Sequence, residues 1–305
     1  MSEMVIVGTR GSPLALWQAN WVKGKLERLH PGLIVNLKTI KTQGDQLLQA
    51  PFSEIGGKGL FVNEIELALR NGDVDIAVHS LKDLPTEQPE GLTITAVPPR
   101  ADPRDAFVSR RQLRLVDLPT GARVGTSSPR RAAQLLAFRG DLQIVSVRGN
   151  VETRLRKGMT DLDGVVLALA GLRRLNLADL ITEIIPPEVC VPAVGQGALA
   201  VEAREDDRRI AGLLGGLDDP EARMAVMAER AFLSRLGGGC QVPIGANGRI
   251  AAGTFRLIGV VADPSGRPCL REEVHGAAGG AVELAIGLAE RLLAKGAGEL
   301  LGLPG

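Results

Sequence analysis

The sequence predicts an α/β protein of two similar lobes followed by a small α+β unit, and three observations carry that prediction. A short apolar run that leads through hydroxyl residues into a capped helix occurs twice, at residues 4–13 and 123–131. A length of 305 residues exceeds one ordinary domain and suffices for two or three. From about Leu217 the pattern changes to a helix, a glycine cluster, short strands and a closing amphipathic helix.

In order along the chain, residues 4–7 read as a strand that runs into Thr9-Arg10-Gly11-Ser12-Pro13, where Ser12 is placed to cap a helix and Pro13 to occupy its first turn. A second strand is predicted over residues 34–40. Residues 42–59 are polar and glycine-rich, which reads as a long loop rather than a tight connection. A helix over 61–70 and a strand over 74–78 follow, the latter ending at His79-Ser80-Leu81-Lys82-Asp83-Leu84-Pro85. A boundary is expected near Pro98-Pro99-Arg100. The second lobe is read from strands at 123–125, 144–147 and 164–169, with Gly195-Gln196-Gly197 marking a return turn. The last unit combines a helix over 221–236, strands over 248–252 and 257–262, and a helix with apolar Val282, Ala285, Ile286, Ala289 and Leu293 on one face.

Composition narrows the function. Hydrophobic residues at 45% and charged residues at 23% are those of a globular chain. Three scattered cysteines and three scattered histidines make neither a disulfide framework nor a metal-ligand spacing, so no metal is expected. A net charge of +1 supplies no field for nucleic acid or a membrane surface, and no apolar run is long enough to span a bilayer. The start of the chain lacks the pattern of a secretory signal, and a cytoplasmic location is expected. The cations are skewed, with 28 arginines to 8 lysines, and Arg offers a planar fork matched to carboxylate and phosphate.

Where the arginines fall matters more than their number. Val124 to Arg131 delivers Thr126, Ser127 and Ser128 to a helix start, where unsatisfied N–H groups and the helix dipole favour an anion. Arg130 and Arg131 in the first turn oppose that dipole, an arrangement that costs helix stability unless an anion is near. Arg10 and Ser12 repeat the logic in the first lobe; Arg148, Arg154 and the Arg173-Arg174 pair add cations beyond other strand ends. The set reads as recognition of several carboxylates or phosphates. Asp83, beside Lys82 at a strand end, is the candidate for proton transfer or for stabilising a developing cation. Cys240 follows Gly237-Gly238-Gly239, a backbone that lets a bulky group approach closely, whereas Cys190 and Cys269 read as inert.

These segments, with Gly56-Gly57-Lys58-Gly59-Leu60-Phe61, Arg148-Gly149-Asn150-Val151, Val194-Gly195-Gln196-Gly197 and Gly238-Gly239-Cys240-Gln241-Val242-Pro243, resemble the porphobilinogen deaminase (hydroxymethylbilane synthase) family in order over nearly the whole chain. The resemblance implies two lobes like type II periplasmic binding proteins, crossed twice by the chain, and a third small domain: residues 1–98 with 198–216, residues 99–197, and residues 217–305. It implies a transferase that condenses four porphobilinogen molecules head to tail, with loss of ammonia, into hydroxymethylbilane. The primer it implies is a dipyrromethane cofactor held by a thioether to Cys240.

The family pattern makes Asp83 the catalytic carboxylate. It assigns Arg10, Ser12, Ser80, Lys82, Thr126, Ser127, Ser128, Arg130, Arg131, Arg148, Arg154, Arg174 and Gln196 to cofactor and substrate binding, and Asp45, Lys58 and Phe61 to a cover over the cleft. Each pyrrole carries an acetate and a propionate, so a growing chain accumulates negative charge, which accounts for arginines in both lobes. An ionised Asp83 would hydrogen-bond the substrate ammonium and then pyrrole N–H groups. A monomer is expected. A ligand-sensing module of the same two-lobed architecture would explain the arginines and serines, but it leaves Asp83 and Cys240 without a role.

Overall fold

The computed structural model describes residues 3–42, 44, 62–237 and 242–302. The chain divides into two compact units, Met1–Arg100 with Ala198–Arg223, and Ala101–Gly197 with Met224–Gly305. It changes unit at Arg100/Ala101, returns at Gly197/Ala198 and leaves again within a helix at Arg223/Met224.

The first unit is built on one five-stranded sheet. Strand β1 (Met4–Thr9) lies parallel to β2 (Ile34–Thr39) and to β3 (Ile76–Ser80), and each connection carries a helix: α1 (Pro13–Leu29) and α2 (Asn63–Arg70). The sheet order is completed by β10 (Leu199–Arg204) and β4 (Leu92–Ala96), with β10 antiparallel to both of its neighbours. The strands are apolar on both faces because both are covered. Val5, Val7 and Val78 meet Val22 and Leu26 of α1 on one side. Ala77 meets Ile65 and Leu69 of α2 on the other. Full burial of one such aliphatic side chain contributes about 1.5–3 kcal/mol.

The second unit repeats the same order. Strands β5 (Asp105–Ser109), β6 (Arg123–Gly125), β7 (Gln143–Val145), β8 (Gly164–Ala168) and β9 (Glu183–Ile185) form the sheet β7-β6-β8-β5-β9. Here β6 is parallel to β7 and β8, while β5 is antiparallel to β8 and β9. Helices α3 (Pro129–Phe138), α4 (Val151–Thr160) and α5 (Leu169–Arg174) follow β6, β7 and β8. In each sheet the one reversed strand is the first that forms after the chain changes unit, β5 in one and β10 in the other. The start of such a strand therefore lies beside the C-terminal end of an antiparallel neighbour: Asp105 pairs with Ala168, and Leu199 with Ser80.

A third sheet, wholly antiparallel, holds β11 (Ile244–Ala251), β12 (Thr254–Ala262) and β13 (Cys269–Ala277). Ala252 and Gly253, both at positive φ, make the two-residue hairpin turn between the first two. Phe232 of a helix at Pro220–Arg235 and Leu288 of one at Ala281–Leu292 pack with Phe255 and Leu257 into its core.

The predicted α/β class is the one observed, with a separate small sheet after it. Strands β4, β5, β9, β10 and β13 escape the sequence reading, and β11 starts four residues before its expected position at residue 248. Each missed strand breaks the apolar pattern with a polar or charged residue: Thr93, Asp105, Glu183, Glu202 and the alternating Arg271 and Glu273. Asp45, Lys58, Phe61 and Cys240 lie outside the described residues.

Gly197 sits at the return point with φ +87, and a Cβ there would stand 2.5 Å from the Ala101 carbonyl oxygen. That carbonyl belongs to the residue whose N–H donates to Gly197 O at 3.3 Å, so neither can withdraw without breaking the other contact. Gly197→Ala is expected to cost about 2–4 kcal/mol from positive φ and overpacking together. A thermal melt should show this as a fall of about 5–10 °C in Tm.

Candidate functional site

Two clusters of polar residues form at strand ends, one in each unit. In the first unit, β1 ends at Thr9, whose buried hydroxyl donates to Ala15 O at 3.2 Å and ties the strand end to α1. Ser12 caps α1, its Oγ accepting from Ala15 N at 3.3 Å, with Pro13 in the first turn. Strand β3 ends at Ser80, whose Oγ accepts from the buried Gln18 amide at 2.8 Å. A single 3-10 turn, Leu81–Asp83, follows. Its anchor is the buried Leu81, whose N–H donates to Ala198 O; Lys82 is half-buried and Asp83 is exposed. Arg10, Ser12, Gln18, His79, Ser80 and Asp83 line one pocket. The structure thus brings together four of the residues singled out from the sequence, Arg10, Ser12, Ser80 and Asp83, with Lys82 in the same turn.

In the second unit the hydroxyl run shapes the backbone. Thr126 Oγ1 accepts from Ser128 N at 3.2 Å, and Ser127 donates to Val147 O at 2.6 Å. Ser128 caps α3 by accepting from Arg131 N at 3.4 Å. Asn150 caps α4 by accepting from Thr153 N at 2.8 Å, and Arg154 Nε donates to Gly149 O at 2.8 Å. Arg148 is half-buried one residue beyond Val147. Arg174 donates to Gly197 O at 2.8 Å, and burial lowers it to about 10.

Arg130 and Arg131, read from sequence as a pair of cations awaiting an external anion, have an internal one. Asp105, fully buried at the start of β5, accepts from Arg130 Nη1 at 2.8 Å through Oδ2 and from Arg131 Nη2 at 2.7 Å through Oδ1. Arg131 Nε adds a 3.1 Å bond to Oδ1 and its Nη1 reaches Val166 O at 3.2 Å. Gln196, expected among the ligand-holding residues, is buried and donates its amide to Asp105 Oδ1 at 2.8 Å and to Pro103 O at 2.6 Å. Burial disfavours the charged form of Asp105, yet the two guanidiniums outweigh it and hold the carboxyl well below the usual carboxylate range. Cys190, inert on the sequence reading, is buried against the same carboxylate, and burial pushes its thiol up to about 12.

Two guanidiniums on one carboxylate leave one positive charge in the cluster, and Arg130 Nε is buried without a hydrogen-bond partner among the described residues. Such a donor suits a further anion at that edge. Asp105 has no local signature, since its partners stand 25, 26 and 91 residues away. The one trace in the sequence is a charged residue opening the apolar run Ala106-Phe107-Val108.

A family model described as "Porphobilinogen deaminase, dipyromethane cofactor binding domain" matches residues 5–212, and "Porphobilinogen deaminase, C-terminal domain" matches residues 223–294. A porphobilinogen deaminase of Geobacter metallireducens is 53% identical over 97% of this chain and 93% of its own length. One of Pelotomaculum thermopropionicum is 52% identical over 99% and 97%. Among solved structures, similarity extends to the methionine-binding protein MetQ, at 15% identity, 75% of this chain, 93% of that one and a TM-score of 0.44.

Cys190 is buried and its thiol is pushed up to about 12, so the reactive thiolate is scarce in the native protein. Iodoacetamide is therefore expected to leave Cys190 unmodified in the native protein and to alkylate it once the protein is denatured. Peptide mass mapping checks this, and native-state labelling at the denatured rate would contradict the buried cluster.

Proposed function

The chain belongs to the porphobilinogen deaminase family, and from that premise we propose which of its residues carry the chemistry. It is a transferase of tetrapyrrole and heme biosynthesis that condenses four porphobilinogen molecules, with release of ammonia, onto a covalent dipyrromethane primer, and water then cleaves the chain from the primer as hydroxymethylbilane. The observation that carries the residue assignment is the pocket in which the exposed carboxylate of Asp83 shares its walls with Arg10, Ser12 and Ser80.

Asp83 is the catalytic residue. In each condensation the C–N bond of the substrate aminomethyl group breaks and ammonia leaves with the electron pair, so a cation develops on the pyrrole. The new C–C bond forms at that methylene carbon, and the proton lost from the attacking α-carbon ends on ammonia. Asp83 accepts hydrogen bonds first from the ammonium and then from pyrrole N–H groups, stabilising the cation where it forms. Its place in a short turn pinned by Leu81 fixes the carboxylate while leaving it exposed.

Dipyrromethane, when bound, supplies the nucleophilic carbon and four carboxylates. The donor chemistry fits it: the surplus charge of the Asp105 cluster and the unpartnered Arg130 Nε suit a carboxylate. Arg130, Arg131, Arg148, Arg154 and Arg174, with Thr126, Ser127 and Ser128, form the carboxylate-holding set of the second unit. Arg10, Ser12, Ser80 and Lys82 form that of the first. Gln196 contributes from behind, through Asp105. Cys240 is the attachment point.

Three domains, residues 1–98 with 198–216, 99–197 and 217–305, are supported by the three separate sheets and by the separate family match over 223–294. We assign the protein to the cytoplasm as a monomer without a nucleic-acid partner; the net charge of +1 supports the last point. No helix among the described residues is long and apolar enough to cross a membrane.

The intact mass of the denatured, active protein should exceed the sequence mass by two pyrrole units, mapping to Cys240; an unmodified mass from active protein refutes the attachment. Asp83→Asn should lower kcat by about 10²–10³-fold. Its Tm should stay within about 2 °C of the parent, since an exposed side chain is replaced. Steady-state kinetics and a melt measure the two, and near-normal turnover removes Asp83 from its role.

A further inference from the structure

Asp105 is fully buried, and five donor contacts converge on its two oxygens. Oδ1 accepts from Arg131 Nη2, Arg131 Nε and Gln196 Nε2, and Oδ2 from Arg130 Nη1 and the Cys190 thiol. All three charged groups are withdrawn from water, with Asp105 at 0%, Arg130 at 4% and Arg131 at 5% exposure. One arginine would neutralise the carboxylate. The second leaves an uncompensated buried charge, which is strongly unfavourable in a folded chain unless an anion meets it.

The surplus charge has a direction. Arg131 spends Nε, Nη1 and Nη2 on Asp105 and Val166 O. Arg130 makes its bonds to Asp105, Cys190 and Val191 O through Nη1, and its Nε is buried with no partner among the described residues. The cluster therefore holds one guanidinium by all its corners and the other by a single corner, leaving a fixed edge whose donor has no partner among the described residues. The sheet topology supplies the fixture. Asp105 opens the reversed strand β5, whose start lies beside the end of β8, while the arginines ride on the helix that follows β6. Three elements separated by tens of residues meet at one carboxylate.

We propose that Asp105 is the positioning residue for the primer's carboxylates: it fixes both guanidiniums and cancels one of their two charges, so that this part of the site presents a single, aimed positive charge. This rests on the reading above that Arg130 and Arg131 hold carboxylates. Asp105 itself meets neither primer nor substrate. Its removal acts through the angle of the arginines, and a misplacement of about 1 Å can cost about a hundredfold in rate.

The test uses full-length protein prepared without primer and then given porphobilinogen, with intact mass following the gain of the adduct and kinetics following turnover once loaded. Asp105→Asn is expected to acquire the adduct at least about tenfold more slowly. Its loaded form should show kcat reduced by about 10–100-fold with KM within about threefold. A folded Asp105→Asn that loads and turns over as the parent does overturns the proposal. If Asp105→Asn does not fold, Asp105→Glu takes its place, since it keeps the charge and moves the guanidiniums by one methylene. Slow loading is expected there too, and parental loading overturns the proposal. Arg130→Leu separates the two levels. Parental loading and turnover in Arg130→Leu would remove the carboxylate-holding reading itself, whereas slow Arg130→Leu beside parental Asp105→Asn removes only the positioning role.

Discussion

The carboxylate of Asp105 holds together the second unit's strand ends. A buried ionised group survives only where its partners outweigh its desolvation, and here two guanidiniums, an amide and a thiol converge on one pair of oxygens. Removing Asp105 would leave two buried guanidiniums without the anion they share, so the two arginines and the carboxylate behave as a unit. It joins the start of β5, the first turn of α3, and the Gly195–Gly197 turn through Gln196. The orientation of both guanidiniums is inherited from that junction.

The junction exists because of the way each sheet is wound. A parallel strand delivers its C-terminal end, and whatever polar residues follow it, to one edge of the sheet. A single reversed strand brings its N-terminal end to the same edge. In the second unit this supplies Asp105 to Arg130 and Arg131; in the first it supplies Ala198 O, which fixes the turn carrying Lys82 and Asp83. The same device thus serves a buried anion in one unit and an exposed one in the other. What differs is burial: Asp83 stands on a turn open to solvent, where it can meet a substrate, and Asp105 lies under a helix, where it can only hold its neighbours.

The hydroxyl residues show a related economy. Ser12 and Ser128 satisfy helix N–H groups, Thr126 tightens the turn before α3, and Ser127 is bonded to Val147 O. Each keeps acceptor capacity for a ligand, but its first duty is to set the backbone from which the arginines project. Gln18 acts similarly on Ser80 from within α1.

The sequence by itself determined what local chemistry encodes. Ser12-Pro13 and Ser128-Pro129 announce capped helices because the cap and the fixed φ of proline act within a few residues. Apolar runs such as Val5 to Val7 and Val165 to Leu167 announce strands covered on both faces. The ordered motifs gave the family, and with it the activity. Only the tertiary structure shows which cations are held by partners inside the chain, as Arg130 and Arg131 are by Asp105. Nothing near Arg130 reveals Asp105, and nothing near Gln196 reveals that its amide turns inward, because those partners are brought together by strand order rather than by spacing. For the same reason β5 and β10 were illegible. Asp105 and Glu202 interrupt the apolar pattern that marks a strand, and they are tolerated inside the protein only by partners that local sequence does not show.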